Sequence, residues 1–364
     1  MQLPSALSFL VDEAAAIAGA DSFLTALGAR LIADGLPLAG GALTQAAPHP
    51  IVSRRVWLWR ADTAEVIEAL SLGVLGPLAP HGADVGRDWL TRLGAEIVEQ
   101  EIAGTVLAGG VADRPRLGWA FNRPLRKAEA ALLGDVARFA AAPLGVLAAR
   151  SALATLLETY LGRRSAARVL AGSLRRETGE TIRAVLLYAD LRGFTELSEV
   201  SRPETVVAAL DAWFDRVAGA VHAFGGEVLK FIGDGVLAIF PLGERPAATA
   251  CDAALRAVAA ARAGMTHLDR QRAGKGMGPL PFGMALHLGE MLWGNIGTAD
   301  RLDFTAIGPA VNLVSRLEGL CRPLGRTVLA SGAFAAEATT AMVPLGQHEL
   351  RGIAEPCAVF GLAD

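Results

Sequence analysis

The segments 182-IRAVLLYADLRGFT-195 and 227-EVLKFIGDGVLAIFP-241 decide the fold of the second half of the chain. IRAVLLYA (182–189) is an almost continuous apolar run, the pattern of a strand covered on both faces. The second segment divides at Gly233-Asp234-Gly235 into two such runs, and Gly-Asp-Gly is a hairpin signal. Between the two segments, ETVVAALDAWFDRVAGAVHAFG has helical spacing, with Pro203 in its first-turn region. Downstream, a helix is expected over about 246–271, followed by the Gly-rich loop AGKGMGPLP, then strands PFGMALHLG and EMLWGNIG. The helix GPAVNLVSRLEGLC and the strand RTVLAS complete the series. The order β-α-β-β-α-β with extra strands predicts a mixed α/β (α+β) domain, a ferredoxin-like sheet carrying helices on one face.

Two aspartates stand where apolar strands end, Asp190 and Asp234, 44 residues apart. Each alone has a plain explanation, since Asp after a strand commonly caps a turn. Together, on a central strand and its neighbouring hairpin, they bring two carboxylates to one edge of a sheet. Sparse hard-oxygen ligation of this kind suits divalent ions whose coordination is completed by substrate phosphates. The turn Leu191–Thr195 that follows is expected to present backbone N–H groups to phosphate oxygens.

ADLRGFT, GGEVLKFIGDGVLAIF, ALHLGEMLWGNIG, RLDFTAIGPAVNLVSRLE and ELRGIAEPCAVFGL, in this order over about residues 180–362, resemble the successive signature segments of class III nucleotide cyclases. The resemblance implies that Asp190, Asp234 and Leu191 hold two Mg²⁺ (or Mn²⁺) ions. It implies that Gly193, Phe194 and Thr195 face the phosphates, and that Lys230 and Thr305 read the base. A Lys at that position donates to adenine, where similar guanylate cyclases carry Glu. Thr in place of Asp resembles a bacterial adenylate cyclase subclass often linked to bicarbonate sensitivity. Asn312 and Arg316, one helical turn apart, match the ribose-orienting and transition-state residues. Arg351-Gly352 stands where relatives place Lys-Gly for the terminal phosphates, and Arg301 is a further phosphate candidate.

The implied activity is conversion of ATP to 3′,5′-cyclic AMP and pyrophosphate by two-metal catalysis in a homodimer whose sites draw residues from both copies. Two alternatives stay open: a guanylate cyclase, and an inactive cyclase-fold module that binds nucleotide. Phe224-Gly225-Gly226-Glu227 is similar to the hairpin of diguanylate cyclases, but Val228 stands where that motif needs a second acid.

The first half reads as helix over 8–34, strands VWLWRA and VIEAL, a helix over 88–101, strands TVLAGGV and RLGWAFNRP, and a helix from Lys127 towards Leu161 with Pro143 as a kink. RLGWAFNRPLRKAEAALLGDVARFAAAPL resembles the closing strand and last helix of GAF-type sensory domains, with a PAS-type fold as the alternative. The expected organisation is a GAF-like regulatory or dimerisation domain at 1–150, a signalling helix and linker at 127–181, and the catalytic domain at 182–364. A small-molecule or protein regulator would act on the first domain. The N-terminal half has no cysteine for thioether attachment of a bilin, and nothing marks His49 or His81 as a haem ligand.

The 364 residues are 52% hydrophobic and 20% charged, which excludes a disordered or fibrous chain. A net charge of −3 gives no reason to expect a nucleic-acid partner. Arg138 and Arg150 interrupt the apolar stretch 136–157, so no membrane span is expected, and the N-terminus lacks the basic region of a signal peptide. Cys251, Cys321 and Cys357 are scattered, which suits a reducing cytoplasm and no disulfide framework. Only three of the 34 basic residues are lysines, Lys127, Lys230 and Lys275, so an amine at position 230 stands out.

Overall fold

The structure is a computed structural model. It describes residues 3–47, 49, 51–72, 84–103, 105–106, 112–172, 179–298 and 300–362. His81, most of TVLAGGV and part of the 161–181 linker lie outside the described residues. The chain divides into two compact units, Met1–Ala166 and Ala167–Asp364.

The N-terminal unit begins with α1 (Ser5–Asp12) and α2 (Ala20–Ala33), separated by a single 3₁₀ turn, where one helix over 8–34 is expected. The strands β1 (Leu38–Ala46), β2 (Val52–Arg60) and β3 (Val66–Leu72) follow. Then come α3 (Val85–Leu93), β4 (Glu96–Glu101), the short pair β5 (Thr105–Val106) and β6 (Ala112–Asp113), and β7 (Arg116–Phe121). The expected helix over 88–101 is therefore a helix and a strand. Gly94 divides them, because a Cβ there would lie 2.7 Å from the Phe121 nitrogen and 2.8 Å from its oxygen. The main sheet is antiparallel in the order β3-β2-β1-β7-β4.

Strand alternation gives this sheet two apolar faces. Trp57, Trp59, Leu117, Trp119 and Phe121 pack with α1, α2 and the 35-residue helix α4 (Lys127–Leu161). Val56, Leu58 and Ala120 pack on Leu90 of α3. Helix α4 continues through the buried Pro143. By length and composition it is apolar enough to cross a membrane, despite Arg138 and Arg150, while its Leu133–Leu147 face packs into the core of its own unit. The Arg-rich joint after it contains α5 (Arg163–Leu170).

The C-terminal unit runs β8 (Gly179–Leu191), α6 (Phe194–Val200), α7 (Pro203–Ala223), β9 (Glu227–Ile232), β10 (Gly235–Pro241), α8 (Ala247–Ala273) and β11 (Phe282–Gly297). Then follow β12 (Leu302–Ile307), α9 (Pro309–Glu318), β13 (Val328–Ser331), α10 (Gly332–Ala335), β14 (Met342–His348) and β15 (Cys357–Leu362). Its sheet order is β14-β15-β13-β11-β8-β10-β9, with β12 pairing the outer part of β11. The core strands β11-β8-β10-β9 are antiparallel in the arrangement expected of the β-α-β-β-α-β order.

PFGMALHLG and EMLWGNIG form one 16-residue strand rather than two, paired with β8 from Phe282↔Leu191 to Gly294↔Gly179. The helices also do not share one face. Val185, Leu187 and Ala189 meet Trp213, Val217, Ala254 and Val258 of α7 and α8. Ala184, Leu186, Leu237 and Ile239 meet Val314 and Leu317 of α9 on the other side. Each such Val or Leu, fully buried, stabilises the fold by about 1.5–3 kcal/mol.

Candidate active site

Asp190 lies one residue before the end of β8, on the α9 side by strand alternation. Asp234 sits in the two-residue turn between β9 and β10. Gly233 has φ +62° and Asp234 does not enter the positive-φ region, the sign pattern of a type II′ hairpin turn. The fully buried Trp213 donates its indole N–H to the Asp234 carbonyl oxygen at 2.9 Å, anchoring the turn to α7. Since Val236 pairs with Ala189, the turn closes beside Asp190, and the two carboxyl groups come within hydrogen-bonding reach of each other.

Burial, then the contact with Asp234, holds the Asp190 carboxyl well above the usual carboxylate range. Its Oδ1 is buried without a hydrogen-bond partner. An orphaned carboxylate oxygen beside a second carboxylate is costly, and a bound cation removes that cost. Among the described residues no group of three or more His, Cys, Asp or Glu is arranged to hold a metal, so the donor set is sparse and all oxygen. Such a set fits Mg²⁺ or Mn²⁺ completed by phosphate oxygens.

A third acid, Glu318 at the end of α9, was not singled out by sequence. A Cβ on Gly283, the register partner of Asp190, would lie 2.1 Å from Glu318 Oε1. Burial raises the Glu318 carboxyl, and the Arg192 guanidinium opposes that rise. Arg192 itself donates from Nη2 to the Arg326 carbonyl oxygen at 2.5 Å, while its buried Nε has no hydrogen-bond partner. A lone Glu at a helix end gives no sequence signal. Only the glycine opposite Asp190 marks the space it fills.

The turn after Asp190 is narrower as a donor site than expected. Arg192 gives its backbone N–H to the Pro281 oxygen at 2.7 Å. Gly193, with φ +73°, caps the seven-residue α6, Phe194 packs into the α7/α8 core, and Thr195 is exposed. The Leu191 side chain is buried in the same core.

Lys230 owes its direction to a bulge. The β9–β10 register shifts between Leu237 and Ala238, so Lys230 stands opposite Leu237 on the α9 side of the sheet. Its Nζ forms an ion pair with Asp303 of β12, a residue given no role by sequence. Asp303 and Thr305 share one face of β12, while Phe304 and Ala306 turn into the core. Lys230 and Thr305 are thus brought to the same surface.

Asn312 and Arg316 are exposed on α9, whose Ala310, Val314 and Leu317 face inward. At about 100° per residue they lie on the side of α9 away from Glu318 and hence away from the acidic pair of their own chain. Arg351 is exposed on the β14–β15 connection, with Gly352 at φ +81° lining an open concavity beside it. The fold does not bring it to the acidic pair, because β14 and β15 form the sheet edge opposite β9. Arg301 is exposed before β12. His287 is packed, as its strand pattern implies. Burial lowers its pKa to about 4, and its Nδ1 lies 2.7 Å from the Ser331 hydroxyl.

Residues 178–354 match the family model described as Adenylate and Guanylate cyclase catalytic domain. Adenylate cyclase 1 of Rhizobium meliloti (strain 1021) is 34% identical over 171 residues, 46% of this chain and 25% of that protein. Adenylate cyclase 2 of the same organism is 30% identical over 207 residues, covering 56% and 55%. This chain therefore spans from a quarter to about half of the length of these two relatives. A solved bacterial light-regulated adenylyl cyclase superposes with a TM-score of 0.50 at 26% identity, covering 57% of this chain and 60% of that one. The region 178–354 of this chain belongs to the adenylate and guanylate cyclase catalytic domain family.

Proposed function

We propose that the C-terminal unit is an adenylate cyclase that forms 3′,5′-cyclic AMP and pyrophosphate from ATP between two copies of the chain. One observation carries this reading: Asp190 and Asp234 meet at the sheet rim with a buried carboxylate oxygen left without a partner. Asp190 and Asp234 would hold Mg²⁺ or Mn²⁺, which when bound stabilises negative charge on the phosphates and the attacking 3′-oxygen. The chain's own residues do the rest. Trp213 fixes the Asp234 turn, and the β9 bulge directs Lys230 to donate to adenine beside Thr305. Arg316 supplies a planar, permanently charged group for the charge that builds on the α-phosphate, and Asn312, one turn earlier, orients the ribose.

The two-copy arrangement rests on α9. Asn312 and Arg316 point away from the acidic pair of their own chain, so a second copy is needed to bring them to a metal site. The N-terminal unit then acts as a regulatory or dimerisation domain in a cytoplasmic enzyme. Purified protein with Mg²⁺ or Mn²⁺ is expected to cyclise ATP in preference to GTP. Asp190→Ala and Asn312→Ala chains, each inactive, should recover part of the activity when mixed. A preference for GTP would replace the base assignment, and no recovery on mixing would remove the shared site.

A further inference from the structure

Helix α4 is apolar on two opposite sides. Leu133, Val136, Ala140, Leu144 and Leu147 sink into the core of the N-terminal unit. On the other side Phe139, Val146, Leu153 and Tyr160 recur every seven residues and are 42%, 36%, 53% and 83% exposed. The intervening positions of the stripe are Ala142, Ala149 and Leu156, the two alanines exposed and the leucine half-buried. The result is an unbroken series of apolar residues at alternating four- and three-residue steps, about 32 Å long.

The period identifies the kind of partner. At 3.6 residues per turn, a seven-residue repeat drifts about 20° per heptad on a straight helix. A chain that keeps the repeat for three heptads keeps its seam turned towards another helix around which it supercoils. Such a seam is matched by a helix carrying the same repeat. Among the described residues no other helix exposes one, since the remaining exposed large apolar side chains on helices, such as Val11, Ile32 and Val207, are isolated. The flanking charges agree. In a parallel, in-register pair, Arg138 and Arg150 lie on opposite flanks of the seam and twelve residues apart along it, so no like charges meet across it.

We propose that α4 pairs in parallel and in register with α4 of a second copy, with Phe139, Val146, Leu153 and Tyr160 meeting their own counterparts. The parallel direction rests on the two-copy reading of the C-terminal unit, which needs both C-terminal units at the same end of the seam. The pairing itself rests on the repeat alone.

The test uses the full chain without nucleotide. Leu153→Cys, treated with a mild thiol oxidant, is expected to give a covalent dimer on non-reducing gels. Wild type should not, because Cys251 and Cys321 are buried and Cys357 is partly so. Glu158→Cys, on the side of the helix away from the seam, should stay single. The double variant Val146→Glu/Leu153→Glu changes only exposed positions and should keep its circular dichroism. Its dimer dissociation constant by sedimentation should rise at least about tenfold. Cross-linking of Leu153→Cys no faster than Glu158→Cys, or unchanged association of the double variant, overturns the proposal. So does a cross-link found only between Leu153→Cys and Ala142→Cys chains, which would mean antiparallel pairing. Sedimentation of uncross-linked wild type with phosphatidylcholine vesicles, lost in the double variant, would make the stripe a membrane face instead. None of these readouts involves turnover, so a chain that cross-links as expected but forms no cyclic nucleotide sinks the enzyme reading alone.

Discussion

The two sheets of this chain treat charge differently. In the N-terminal unit the charged side chains around the sheet find partners: Arg55 with Glu68, Arg60 with Asp62, Arg87 with Glu99, and Arg116 with Asp84. Among the described residues, its buried side-chain polar atoms without partners are neutral, the indole nitrogens of Trp59, Trp89 and Trp119 and the amides of Gln45 and Gln100. In the C-terminal unit the atoms without partners belong to ionisable groups, Asp190 Oδ1 and Arg192 Nε. Unpaired neutral groups cost a little stability, whereas unpaired buried charge persists where something outside the chain completes it. That difference is what the metal site proposed for the second unit would require.

Asp190→Asn breaks this contrast most severely. Cyclase activity should fall at least about a thousandfold, while the protein should become more stable without cations above neutral pH. In wild type the folded state holds a proton on Asp190 that the unfolded chain releases near the ordinary carboxylate range. Stability present at low pH is thus lost as pH rises towards about 8. Thermal melts in EDTA between pH 5 and 9 should show that decline in wild type and a flatter profile in the variant. Added Mg²⁺ should raise the wild-type melting temperature only. Equal pH profiles would show that Asp190 is not strained.

Asp303→Asn tests the Lys230–Asp303 ion pair, on the surface proposed to read the base. Freeing Lys230 should change the ratio of kcat/KM for ATP and GTP by about tenfold, chiefly through KM, with little effect on melting. An unchanged ratio with altered stability would assign the pair to the fold alone. The smallest effect belongs to the first unit. Asp84 accepts a hydrogen bond from the Arg87 backbone N–H at 3.2 Å and pairs with Arg116 at 2.5 Å. Asp84→Ala should cost about 1–2 kcal/mol in denaturant unfolding and leave the rate of the C-terminal unit unchanged.

The acidic pair was legible in sequence because it coincides with strong local signals. An apolar strand ends at Asp190, and a glycine-flanked turn carries Asp234. Glu318, beside that pair, and Asp303, the partner of Lys230, were not legible, since they reach their places through sheet register rather than sequence spacing. Strand β1 escaped notice for a related reason. LAGGALTQA has little β-propensity, and its glycines serve packing: a Cβ on Gly41 would lie 2.7 Å from the Trp119 ring, and one on Gly40 would lie 2.6 Å from the Trp59 oxygen. A helix ending in Gly94 likewise hid the strand behind it. The element order of the C-terminal unit was readable and its faces were not, because α9 is short and its inward residues number only three.

The extra residue in β9 has one more implication. It lifts Lys230 out of the strict in-and-out alternation, so the tip of that side chain supports no part of the hydrophobic interior. Its chemistry can be exchanged by a single codon change while Asp190, two strands in, stays undisturbed. On the proposed reading of Lys230, a descendant of this protein could thereby alter which nucleobase it accepts without first having to rebuild its scaffold.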